Sequence, residues 1–91
     1  MITETIQWWD DLYPESYKLV LHAYGLKLTK EIKLDNYTTE ITFKASTTKA
    51  FKRFMEDFEE GAFELLDEIS RECDTDDDYV ERLEKEIKAI A

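Results

Sequence analysis

Carboxylates dominate the chemistry this chain can do. Glu56, Asp57, Glu59, Glu60, Glu64, Asp67 and Glu68 follow one another with no base between Arg53 and Arg71, and Asp74, Asp76, Asp77 and Asp78 come soon after. On one continuous helix the first seven would extend over about 18 Å at ~1.5 Å rise per residue. That is one charge per roughly 2.6 Å, between duplex DNA at ~1.7 Å and a single strand at ~3.4 Å. A solvated helix ordinarily places Lys or Arg four residues from its acids, because such pairs stabilise it. Here Glu56/Glu60, Glu60/Glu64 and Glu64/Glu68 set like charges at that spacing. Such an array suits contact with Arg and Lys and can stand in for nucleic-acid phosphates. The competing reading of the same residues is a face that is merely solvated.

Other reactive groups lead nowhere comparable. Asp74-Thr75-Asp76-Asp77-Asp78 opens like a calcium loop, but the sixth position would be Tyr79, where the turn needs Gly, and the twelfth Lys85, where a bidentate Glu is required. Helix capping and acidic surface explain these residues better. His22 is the only histidine and has no Ser, Cys or second His motif to work with, so a core or surface role is expected. Cys73, the only cysteine, excludes an intrachain disulfide and continues an apolar stripe, which indicates packing. The expectation is a non-enzyme with no catalytic residues, no metal ligands and no cofactor.

The charge balance points to the same half of the chain. The net charge is −10; residues 1–55 hold 7 acids and 8 bases, whereas residues 56–91 hold 15 acids and 4 bases. This asymmetry disfavours direct binding to nucleic acid or anionic lipid and favours a basic protein partner. At 91 residues, 43% hydrophobic and with 12 aromatics, the chain suits one folded domain rather than a disordered segment. No apolar run approaches the ~18 residues of a membrane span, and the opening MITETIQWWDDLYPES lacks the features of a signal peptide. The expected compartment is the cytoplasm, that of the host if the chain is phage-encoded.

The elements that must position the acids follow from periodicity. Ile2, Ile6 and Trp9 approximate one face of a helix over Thr3 to Leu12, capped by Thr3 and ended by Pro14. Alternation in Leu26–Leu34 and Tyr37–Ala45, with Asp35-Asn36 between, predicts a β-hairpin. Tyr17, Leu19, Leu21 and Ala23 also alternate, favouring a third strand; a helix from Pro14 to Tyr24, with Gly25 just past its end, competes. Phe51, Phe54, Met55, Phe58, Ala62, Leu65, Leu66, Ile69 and Cys73 predict one helix over 47–73, bent at Gly61; a short break there is the competing reading. A final helix starts at Thr75, with Asp76 to Asp78 in its first turn and Tyr79, Val80, Leu83, Ile87 and Ile90 facing inward. Phe54, Phe58, Leu65, Leu66, Leu83 and Ile87 are the expected main core. Of Trp8 and Trp9, one should be buried and the other left as a surface anchor. The expected fold is α+β: an N-terminal helix, a three-stranded antiparallel sheet and two C-terminal helices.

One resemblance gives these features a direction. The segment KAFKRFMEDFEEGAFE (49–64), with a glycine soon after its third aromatic, and the acid-rich turn DTDDDYVERL (74–83), with an aromatic directly after the acids, resemble the small phage anti-CRISPR proteins that inhibit Cas9 by DNA mimicry. The likeness covers roughly Lys49 to Ile87. Family members also carry acids around their strands, where this chain has Lys27, Lys30, Lys33 and Lys44. The resemblance implies that Asp74, Asp76, Asp77 and Asp78 take the place of phosphates of the PAM duplex and engage arginines that read base edges. The functional expectation is an acidic inhibitor that occupies the basic groove of a nucleic-acid enzyme, a nuclease such as Cas9. An immunity or antitoxin protein that caps a nuclease toxin is the rival of the same physical type. A structural or assembly protein with a solvating acidic face is the rival of another type.

Overall fold

The computed structural model describes residues 1–61 and 63–90. Its elements run β1 (Ile2–Trp9), α1 (Tyr17–Ala23), β2 (Lys27–Lys33), β3 (Thr38–Ala45), α2 (Thr48–Glu60), α3 (Glu64–Glu72) and α4 (Asp76–Ile90). The class is α+β with three antiparallel strands, as expected, but the chain opens on a strand. The sheet order is β1-β3-β2, so β3 is central and the chain's first segment forms one edge.

The N-terminal helix is corrected to β1. Ile2, Ile6 and Trp9 do fit helical spacing, but Thr3, Thr5 and Ile6 are β-branched and Trp8 and Trp9 aromatic, a composition that packs well on a pleated surface. Tertiary context decides: β3 needs a partner on its second side, and β1 pairs with it from Ile2↔Ala45 to Trp9↔Thr38 without interruption. Ile6 and Trp8 thereby turn to the core while Trp9 remains 63% exposed. One tryptophan is indeed buried and one exposed, but through strand alternation rather than opposite faces of a helix.

The favoured strand at 17–23 is corrected to α1, the competing helix. Its ending is a Schellman motif: Leu26 N–H donates to the Leu21 carbonyl at 2.9 Å, Gly25 N–H donates to that of His22 at 3.1 Å, and Gly25 has φ of 73°. The misleading alternation has a physical source. Val20 and Leu21 pack into the cluster under the sheet, while Leu19 packs with Ile69, Tyr79 and Leu83 on the α3–α4 side. A short helix buried on both sides presents apolar residues at every other position.

The hairpin forms, with a register shift between Leu28 and Lys30. Its turn does not use positive φ, which among described residues occurs only at Gly25 and Gly61. Instead the Asp35 carboxylate accepts the Tyr37 and Thr38 N–H groups, each at 2.8 Å. Those donors hold its carboxyl below the usual range.

The single helix over 47–73 is corrected to two. Gly61 adopts φ 69°, its N–H bonded to the Asp57 and Phe58 carbonyls, and ends α2 in the left-handed conformation that glycine accepts most readily. Phe63 then enters the core before α3 starts, with its ring 5.2 Å from Trp8 and 5.6 Å from Phe54. Phe63 lies off the apolar stripe that predicted one helix; burying it requires the break. Ala62, which that stripe included, lies outside the described residues. Two helices were expected after the sheet, and α2, α3 and α4 are found.

The main core is also reassigned in part. Phe54 and Leu83 are fully buried, but Phe58, Leu65, Leu66 and Ile87 are only partly so. The sheet's inner face and α1 supply Ile41, Phe43, Ala45, Val20 and Leu21 instead. No helix among the described residues is long and apolar enough to cross a membrane.

Candidate functional site

The two halves of the acidic segment are positioned by different helix ends. Thr47 caps α2, its hydroxyl accepting the Ala50 N–H at 3.1 Å. Lys49, Lys52 and Arg53 then occupy the helix's first turns, while Glu56, Glu59 and Glu60 crowd its end. Both placements oppose the macrodipole, which favours anions at the N-terminus and cations at the C-terminus. α3 and α4 have the usual arrangement. Glu64 and Asp67 open α3 and Arg71 closes it; Asp76, Asp77 and Asp78 open α4 and Lys88 closes it. The Thr75 hydroxyl accepts the Asp78 N–H at 3.1 Å and completes the α4 cap.

The break at Gly61 removes the expected 18 Å rod. Glu56, Glu59, Glu60, Glu64, Asp67, Glu68, Asp74, Asp76, Asp77 and Asp78 are all exposed, and among the described residues none forms an ion pair. They are nevertheless split over three helices and a turn. Asp57, Glu64 and Glu68 line one shallow concavity of about 320 Å³ together with Tyr24 and Arg53. Asp74 and Asp78 line another, of about 300 Å³, with Glu72, Glu81, Arg82 and Lys85. In the second, Arg82 ties Glu72 and Glu86 together at 3.1 and 3.0 Å.

Asp57 departs from the other acids. It is half-buried and accepts a hydrogen bond from the Tyr24 hydroxyl, while the Arg53 guanidinium lies 5.5 Å from the centre of the Tyr24 ring. Burial, reinforced by that bond and by the Asp57 charge, pushes the Tyr24 hydroxyl up to about 12. Asp57 thus fastens α2 to the end of α1. Tyr24 and Arg53 belong to this surface and escape sequence reasoning, because only tertiary packing sets Tyr24, just past the end of α1, against Phe54 of α2.

Asp10 is a second omission. Its carboxylate accepts the Ser16 hydroxyl at 2.7 Å and the Leu12 and Tyr13 N–H groups at 2.9 and 3.1 Å. Ser16, fully buried, also accepts the Trp8 indole N–H at 2.9 Å. The signal available in the sequence is an Asp followed two and three residues later by free amides, an Asx turn. Burial and the nearby charges of Asp10 and Asp67 raise the Tyr79 hydroxyl to about 12, so negative potential from two separate segments meets there.

The exposed acids, unpaired along α2's end and α3's start, can accept hydrogen bonds and ion pairs from a basic surface. Among the described residues, no group of three or more His, Cys, Asp or Glu side chains is arranged to hold a metal ion. No protein-family model, curated protein or solved structure matches this chain.

Proposed function

We propose that this chain is a binding protein whose carboxylates at the end of α2 and the start of α3 dock on the basic groove of a nucleic-acid enzyme. It acts by occupancy, in the cytoplasm where its target works, with no bond made or broken. One observation carries this reading: Glu56, Glu59 and Glu60 are exposed, have no ion-pair partner among the described residues and lie on the wrong end of α2 for the helix dipole. Local stability does not account for them. A partner that supplies Arg and Lys does, since charge-assisted bonds to carboxylates are the stronger class.

Asp76, Asp77 and Asp78 support a second reading for α4 alone. They sit where the dipole and the Thr75 cap favour acids, so helix stability is sufficient to explain them. The α2–α3 acids are therefore the centre of the proposed interface, and Asp74 to Asp78 its flank.

The resemblance to Cas9 inhibitors makes guide-loaded Cas9 the first target to test. Binding of a PAM-containing duplex should fall as the chain is added, and less so as salt rises, because exposed ion pairs are screened over ~8 Å at 0.15 M. A variant carrying Glu56→Gln, Glu59→Gln, Glu60→Gln and Glu64→Gln should lose the effect while remaining folded. Undiminished duplex binding in the presence of the native chain removes Cas9 as the target. Equal inhibition by the neutralised variant removes the α2–α3 surface as the interface.

A further inference from the structure

The two edges of the sheet are built differently. β2 carries Lys27, Lys30 and Lys33 and a register shift between Leu28 and Lys30, devices that discourage another strand from pairing. β1 has none of them: eight residues in unbroken register, with Glu4 the one charge and no Lys, Pro or Gly. Asp10 N–H donates to the Tyr37 carbonyl at 3.0 Å, which fixes the phase of the antiparallel ladder. The even-numbered residues of β1 therefore bond to β3, and Thr3, Thr5, Gln7 and Trp9 turn their N–H and C=O groups to the free edge. The Thr5 N–H meets only the carboxylate of its neighbour Glu4, at 3.1 Å. Beside the C-terminal half of this edge lies a concavity of about 320 Å³, lined by Trp8, Phe58, Phe63 and Leu66 and flanked by Trp9.

We infer that β1 is a docking edge for β1 of a second copy of this chain, paired antiparallel about a two-fold axis near Ile6 to form a six-stranded sheet. Charge favours this occupant. The arrangement sets the Trp9–Asp10–Asp11 end of one strand against the Thr3 end of the other. There the second copy's Lys44 lies beside Thr3, and Lys27 beside Lys44. Asp10 is held by Ser16 within its own copy, so the exposed Asp11 is the acid turned toward this basic end, one strand removed from Lys44, once at each end of the pair. The pairing strand itself lies within residues 1–55, which hold 7 acids and 8 bases. A two-fold axis satisfies the same free backbone groups on both copies at once. This inference is independent of the proposed function.

The test is the solution mass of the full chain, by sedimentation and light scattering, from micromolar to millimolar concentration. The mass should rise from the 10.8 kDa protomer to twice that value, with amide exchange slowed at Thr3, Gln7 and Trp9 as it does. Gln7→Pro removes an edge N–H that serves no bond within the protomer, so it should yield a monomer with a native circular dichroism spectrum. Should that variant fail to fold, Thr5→Lys with Gln7→Lys keeps every amide and sets like charges opposite one another across the pair, with the same expected loss of the dimer. A monomeric mass at every concentration overturns the inference and leaves the edge to a strand from a different protein. A dimer that survives the lysine variant also overturns it.

Discussion

Reversing charge economy at the two kinds of helix end should change stability in opposite directions. Replacing Glu56, Glu59 and Glu60 by Gln removes three anions from the end of α2, where no base accompanies them. An exposed charge near a helix end is worth about 0.3–1 kcal/mol, and Gln matches Glu in helix propensity. Allowing for incomplete additivity, the triple variant should gain roughly 1–2 kcal/mol, with relief of the Glu56/Glu60 repulsion contributing a few tenths. The matching change of Asp76, Asp77 and Asp78 to Asn acts at the start of α4, where anions are favourable, and should lose roughly 1–2 kcal/mol. Urea unfolding followed by circular dichroism at low ionic strength measures both, provided the denaturant slope stays unchanged. Near 1 M salt, where the Debye length is ~3 Å, the two differences should shrink together. A Gln variant less stable than the native chain would refute the reasoning. Glu56, Glu59 and Glu60 would then stabilise the fold, and the observation on which the proposed function rests would be gone.

The aromatic cluster gives a second test. Phe54 is fully buried against Phe43, Tyr24, Phe58 and Phe63, so Phe54→Ala should cost about 3–5 kcal/mol, a large part of the total for a domain of this size. Phe58→Ala should cost less because Phe58 is half-buried; equal losses in melting experiments would misplace the core. Tyr24 and Tyr79 titrate near 12 in the fold against an ordinary 10.0, so their neutral forms stabilise it fully below pH 10, and that contribution disappears as pH rises from 10 to 12. Urea midpoints should fall across that window, and Tyr24→Phe should reduce the slope; an unchanged slope would deny the burial of that hydroxyl. The Asp35 carboxyl is depressed, so its contribution to the hairpin is present above the ordinary value of 3.8 and is lost as pH falls below it. Asp35→Ala should remove that acid sensitivity, read as faster amide exchange at Tyr37 and Thr38 in the native chain only.

Much of the fold was legible where one local signal had no rival. The β2–β3 hairpin follows from two alternating runs around Asp35-Asn36, and α4 from Thr75 and the acids behind it. The acidic surface was legible as composition, because charge runs are exposed wherever the backbone takes them. The errors fall where two periodicities coexist. Ile2, Ile6 and Trp9 satisfy a helix and Ile2, Ile6 and Trp8 a strand; Tyr17, Leu19, Leu21 and Ala23 satisfy a strand, yet form a helix packed on two sides.

By itself, then, the sequence determined the α+β class, the hairpin, the capped last helix and the identity of the acids, since each depends on neighbours within a few residues. Tertiary structure decided that β1 is a strand, because only the open side of β3 can select it, and that Gly61 divides two helices, because Phe63 must reach Trp8, Tyr24 and Phe54. It also decided which acids remain free. Asp57 is claimed by a tyrosine 33 residues away, Asp10 by a buried serine, and Glu72 by Arg82. These partners meet only when the chain has packed, since the reach of a side chain is a matter of distance in space and the sequence records only distance along the chain.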